Sequence, residues 1–197
     1  MTMGGIQPVD LPETNLIIGE NWPHYDETAY AREADSQRVY AEQSGTASQA
    51  ALAAADYTKP SFQGAAGTEL TQRLTDRHHA HTEDETRHHN VAGWLDLANQ
   101  NITWAKNTMN TATTDYHRSY EDAARRAIEE TWTQQQLRDV KAILVQQAQN
   151  KVASTRSAFD DNHAAIAAGI ASGAPPVAPK SLPAAAITHP PGTVVEA

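Results

Sequence analysis

"YTKPSFQGAAGTEL", residues 57–70, decides how this chain folds. Pro60 has no amide hydrogen and its ring clashes with the preceding turn, so a helix arriving from the N-terminal side must end there. Gly64 permits a tight backbone, and Ser61 or Gln63 can cap whatever follows. The stretch therefore predicts a hairpin turn at about 58–65. A second helix opens at about Ala65, and its apolar seam continues through Leu70 and Leu74.

Proline placement extends this map in both directions. Pro8, Pro12 and Pro23 sit in the N-terminal lead, Pro60 stands alone, and the remaining six fall between Pro175 and Pro191. From Ser61 to Ala174 there is no proline, and between Thr68 and Ala168 the one glycine is Gly93. So long a run without breakers, rich in Ala, Gln, Glu and Thr, reads as helix. No segment alternates apolar and polar residues for long enough to make a strand.

The first helix is predicted from Trp22-Pro23 to about Tyr57. Proline suits a first helical turn, and Asp26 and Glu27 then lie at the positive end of the helix dipole. Tyr30, Ala34, Gln37, Ala41, Ser44, Ser48, Leu52 and Ala55 follow a three-four spacing. That face is small and half apolar, so it needs a partner helix. The run from Ala65 to Ala168 is too long for one helix. The predicted bend is Asn107–Asp115, "NTMNTATTD", whose side chains compete for their own backbone. A third helix then carries Tyr116, Tyr120, Ala124, Ala127, Thr131, Leu137, Val140 and Leu144. The expectation is an all-α, elongated antiparallel hairpin or bundle over 21–170. A flexible lead precedes it at 1–20, and a disordered Pro/Ala-rich tail or linker follows at 171–197.

Composition narrows the function. The net charge of −9 argues against nucleic-acid and anionic-membrane surfaces, which need clustered Lys and Arg. Leu, Ile, Val and Phe make up only about 15% of the chain, under the rough 20% mark at which disorder must be considered. Abundant alanine lets helices approach closely instead. No apolar run approaches the roughly 18 residues of a transmembrane helix. The start, "MTMGGIQPVDLPETNLIIGE", lacks the basic and apolar regions of a secretory signal peptide. Cysteine is absent. With no nucleophile elbow and no phosphate-binding glycine loop, no catalytic residue is expected and the chain is not read as an enzyme. The acids of "YEDAARRAIEE" pair with Arg125 and Arg126 on a solvated face.

"RHHAHTEDETRHH", Arg77–His89, gathers five of the nine histidines. At about 100° per residue, His78, His81, Glu85, His88 and His89 share one arc with Leu74 and Ala92, so the stripe interrupts the seam. His81, Glu85 and His88 are spaced for a shared metal, and with His78 they are the metal candidates. A di-iron bundle needs a second Glu-x-x-His unit, for which Asp160-x-x-His163 is a poor substitute. The competing reading makes Thr82–Glu85 a capping box, with a wet bend at His78–His81, or leaves the histidines on a solvated continuous helix. No metal or other cofactor is expected. A pH-responsive seam is a further alternative.

Trp22-Pro23-x-x-Asp26-Glu27 opening one helix, then Phe62-Gln63-Gly64 in a turn before a second, resembles the WXG superfamily of actinobacterial type VII secretion, in the longer PPE-like forms that stand as N-terminal domains of larger secreted toxins and effectors. The likeness spans about residues 15–130. It implies a helical interaction and export module that pairs with itself or with another helical protein and engages the type VII machinery. Localisation would be secreted or cell-surface without a signal peptide, and cytoplasmic before export. It also implies that Trp22 and Phe62 pin the hairpin ends. No tyrosine is followed by an acid four residues on, so a partner would supply the family's Tyr-x-x-x-Asp/Glu signal. The alternatives are a metal-binding or pH-sensing bundle built on the histidines and a structural coiled-coil adaptor.

Overall fold

The computed structural model describes residues 5–183 and is all-α, with no strand among them. A short helix α1 (Thr14–Ile18) runs into a 3₁₀ turn at Gly19–Asn21. Three long helices follow: α2 (Glu27–Ser61), α3 (Ala65–Glu129) and α4 (Gln134–Ser172). The chain divides into two compact units. Of the described residues, one holds 5–28, Leu97–Ala165 and 178–183; the other holds Ala29–Asp96 and Ile166–Val177.

In the second unit α2 and the first part of α3 form the predicted hairpin. Pro60 sits in the last turn of α2, Gly64 takes φ 92°, and α3 opens at Ala65. Gly67 makes the turn close: a side chain there would run into the Phe62 carbonyl. On α2 the buried positions are Ala34, Ala41, Ser48, Ala51, Ala55 and Thr58, a seven-residue repeat of small side chains. Leu52, expected in this seam, is 42% exposed, because the repeat selects Ala51 and Ala55 on either side of it.

The predicted bend at Asn107–Asp115 does not occur. Thr113 and Thr114 donate their hydroxyls to the carbonyls of Met109 and Asn110 at 3.1 and 3.0 Å, inside the helix's own ladder. Met109, Ala112 and Thr113 are buried on the same stretch. Packing thus overrides a weak local preference. The reversal comes at 130–133, where Thr131 adopts φ 57° and the Trp132 amide donates to the Ala127 carbonyl at 2.9 Å. Thr133 and Gln136 then cap α4 reciprocally: the Thr133 amide donates to Gln136 Oε1 at 2.7 Å and the Gln136 amide to Thr133 Oγ1 at 3.2 Å. Tyr116 and Tyr120 consequently belong to α3, not to a third helix. Thr82 starts no helix either; α3 passes through it, and its hydroxyl donates to the His78 carbonyl at 3.0 Å.

The lead is not loose. Ile17 and Ile18 of α1 are buried with Trp22, Met109, Ala112, Tyr116, Ala148 and Val152 in the core of the first unit. Within that unit Asn101 donates to the Phe159 carbonyl and Asn162 to Asn101, both at 3.0 Å. The described start of the tail is also anchored, against expectation. In the second unit Asn90 donates to the Gly173 carbonyl at 2.9 Å and Trp94 Nε1 to the Ala174 carbonyl at 2.8 Å, with Pro176 against Gly93. In the first, Leu182 is buried and Ser181 hydrogen-bonds Asn162. Residues 184–197 of the predicted tail lie outside the described residues.

Ending the chain at Gly173 removes the Leu182 burial, worth about 1.5–3 kcal/mol, and the Trp94 hydrogen bond, worth about 1 kcal/mol. For a domain of this size that lowers Tm by on the order of 10 °C. Ending it after Pro183 leaves these contacts in place, and thermal melts of the two truncations followed by circular dichroism should differ accordingly.

Candidate interaction site

The Trp22–Glu27 segment is an elbow ahead of α2, and α2 begins at Glu27, later than predicted. The residue before a proline avoids helical dihedrals, and Trp22 accordingly holds φ −63°, ψ 128°. Pro23 is fully buried at the elbow instead of lying in a first helical turn. Asp26 caps α2, accepting from the Thr28 amide at 3.0 Å and the Thr28 hydroxyl at 2.7 Å.

Glu27 turns inward. Its carboxylate is paired with Lys106 Nζ at 2.7 Å, and the two side chains are only 8% and 5% exposed. Nζ also donates to the Tyr25 carbonyl at 2.8 Å and stands 5.8 Å from the centre of the Trp22 ring. The other carboxylate oxygen accepts the Ile6 amide. Burial alone raises the Glu27 pKa. The Lys106 and Ile6 hydrogen bonds, its own amide and the Lys106 charge outweigh that and hold it below the ordinary carboxylate value. Sequence reasoning placed Glu27 at the helix dipole and missed Lys106. The available signal was that Lys106 is the one basic residue other than histidine between Arg87 and Arg118.

In the same unit His163 lies between aromatic rings, 4.6 Å from Tyr25 and 5.3 Å from Phe159. Burial lowers its pKa, with Asp160 opposing and Arg156 assisting. Asp160 pairs with Arg156 at 2.9 Å, so Asp160-x-x-His163 is an ion-paired and aromatic-packed turn of α4.

Phe62 and Gly64 belong to the other unit, at the far end of α2. The 35 residues of α2 separate the two motifs along the chain, about 50 Å of helix. Gly64 has the positive φ that the turn demands. Phe62 does not pin the turn by burial: it is 57% exposed, and Tyr57 and Leu70 near it are 74% and 42% exposed. The backbone closes the turn without the ring, through the Phe62 amide to the Thr58 carbonyl at 2.9 Å and the Thr68 amide to the Gly64 carbonyl at 3.0 Å.

The histidines line the α2–α3 seam without a bend. His78 Nδ1 is 2.7 Å from Ser48 Oγ and 3.2 Å from the Ser48 carbonyl. His88 Nδ1 is 2.7 Å from Gln37 Oε1, and its ring lies 5.6 Å from Tyr40. Glu85 lies against Gly45, where an added Cβ would come within 2.9 Å of Oε1. His81 is half-buried and His89 exposed. Among the described residues no three His, Cys, Asp or Glu side chains converge to hold a metal ion. None of their helices is long and apolar enough to cross a membrane.

Comparison with family models, curated proteins and solved structures finds no match.

Four substitutions test this geometry. Lys106→Met strands the Glu27 carboxylate in the core and should cost about 3–5 kcal/mol, while adding Glu27→Gln should recover much of that. Because the folded pKa of Glu27 is lowered, its contribution is full above the unfolded value of 4.5 and is lost as pH falls toward the folded one. Urea titrations between pH 3 and pH 7 read both effects, and the variant pair should lose this part of the acid dependence. At the turn, Phe62→Ala should change stability by under about 0.5 kcal/mol, as for other exposed side chains. Gly64→Val should cost about 1–3 kcal/mol through left-handed strain.

Proposed function

We propose that the chain is a helical interaction and export module associated with type VII secretion, carrying a helical partner or a second copy of itself. The reading rests on the likeness of Trp22-Pro23, Asp26-Glu27, Phe62 and Gly64 to the WXG and PPE-like pattern. The observation that carries it is the turn end of the α2–α3 hairpin. There Tyr57, Phe62 and Leu70 stay exposed although buried alanines pair the two helices behind them. A protein with few large apolar residues gains nothing in folding from leaving three in water, and clustered exposed apolar groups mark contact surfaces. The proposed module has no catalytic residue and no cofactor. The partner contributes the Tyr-x-x-x-acid signal that this chain lacks. Export then follows a signal-peptide-independent route from the cytoplasm to the cell surface or medium.

A second reading, pH sensing, is favoured by one specific observation. His78 and His88 bridge α2 and α3 through Ser48 and Gln37, in a seam that also holds Glu85 against Gly45, and histidine is the side chain suited to a pH switch.

Export is tested by comparing culture filtrate with cell pellet in cells with and without the secretion ATPase. Wild type should reach the filtrate in an ATPase-dependent way. Phe62→Ala should reduce export and partner recovery at least several-fold while leaving Tm unchanged. Retention of the wild type in the pellet of both strains would remove the reading.

A further inference from the structure

Residues 5–12 contain no helix or strand, yet they are held as a bound peptide would be. The Ile6 amide donates to Glu27. Asn110 of α3 reads one peptide unit on each side of Pro8: Nδ2 donates to the Gln7 carbonyl and Oδ1 accepts the Val9 amide, both at 2.9 Å. The Val9 carbonyl accepts the Thr14 hydroxyl at 2.9 Å, and His117 donates to the Pro12 carbonyl. Ile6 and Val9 are half-buried, Ile6 against the core that contains Ile17 and Trp22, while Gln7 and Pro8 are exposed. Gly5 passes so close to Glu27 that a Cβ would lie 3.1 Å from its carboxylate. A cavity of about 290 Å³ runs beside the segment, lined by Gln7, Pro8, Trp22, Pro23, His24 and Lys106.

This is how extended peptides are recognised: side chains of the receptor satisfy the peptide backbone for affinity, and pockets for spaced apolar residues supply specificity. Pro8 pre-sets the extended form and lowers the entropy of docking.

We infer that this groove is a peptide-binding site for an extended apolar-x-Pro-apolar segment, plugged in cis by Ile6–Val9, and that its occupant in trans is the lead of a second copy of this chain. A second copy offers the same backbone groups and side chains, so exchange forfeits no contact. The hinge favours it. To bring the lead back onto its own unit, Glu13 holds φ 60°, a left-handed conformation that is costly for a residue with a Cβ. An exchanged lead lets Glu13 extend, and short strained hinges invite such swapping. The inference stands apart from the export route.

The test uses the full chain and a labelled synthetic peptide of residues 5–13. A chain with Ile6→Ala and Val9→Ala, whose own plug is weakened, should bind the peptide at least ten-fold more tightly than wild type and gain Tm on binding. Adding Asn110→Ala should remove at least ten-fold of that affinity. Light scattering of the wild type should show a dimer that grows with concentration and dissolves under excess peptide. Glu13→Gly, which relieves the hinge, should reduce the dimer at least three-fold. Lys141→Ala, which removes the Glu13 ion pair at 2.5 Å and the cation–π contact with Tyr120 but leaves the Glu13 backbone as it is, should leave the dimer in place. No peptide binding by either chain, binding indifferent to Asn110→Ala, or a wild type that stays monomeric at every concentration would overturn the inference.

Discussion

The Glu27–Lys106 pair sets the terms for the first unit. Both side chains are almost wholly buried, and an isolated buried charge is expensive. Each must therefore satisfy the other, and the remaining bonding capacity must be met by main chain: the Tyr25 carbonyl for Lys106 and the Ile6 amide for Glu27. These demands fix three segments at once, namely the lead, the Trp22–Glu27 elbow and the middle of α3. Trp22 and Pro23 then close over the pair from the elbow side, and α1 seats Ile17 and Ile18 beside them. The lead, which has no secondary structure of its own, becomes part of the folded unit because a buried carboxylate needs its amide.

A different constraint rules the hairpin. With so few large apolar residues to bury, α2 offers a repeat of Ala, Ser and Thr, and α3 answers with Leu74, His78, His81, Glu85, His88, Ala92 and Leu95 at matching positions. Small residues on one side make room for imidazoles on the other. Ser48 and Gln37 complete the bonding of two of these rings. His78 and His88 are thus interhelical packing residues with a polar function, while His79 and His89 face outward from a helix that does not bend there. Of the apolar side chains that the seam leaves exposed, Val39, Tyr40 and Leu52 lie along α2, while Tyr57, Phe62 and Leu70 lie at the turn end, where a partner meets them in the proposed module.

Periodicity and punctuation determined much by themselves. Gly64 located the hairpin turn, since a positive φ is a local demand that context cannot waive; Pro60 marked its neighbourhood without ending the helix itself, which runs through it to Ser61. The uninterrupted Ala/Gln/Glu run established all-α structure, and the arc from Leu74 to Ala92 placed His78, His81 and His88 on the seam, though His89, assigned to the same arc, is exposed. The Thr133–Gln136 box was legible too, as a Thr three residues ahead of a Gln, but the denser polar run at 107–115 drew the bend away from it. Thr113 and Thr114 could bond their own helix as readily as break it, and only the burial of Met109 and Ala112 decided which.

Tertiary structure alone decided the rest. Whether Glu27 faces a dipole or a buried lysine depends on α3 passing beside the elbow, 79 residues away along the chain. Whether residues 5–12 are loose depends on Asn110 presenting both amide atoms to them. The anchoring of the chain up to Pro183 depends on Trp94 and Asn162, whose partners are main-chain and hydroxyl groups that carry no sequence pattern. Local preferences fix where the backbone can turn, because they act within a few residues. The pairing of buried polar groups is a contact between distant segments, and its energy exists only once those segments have met.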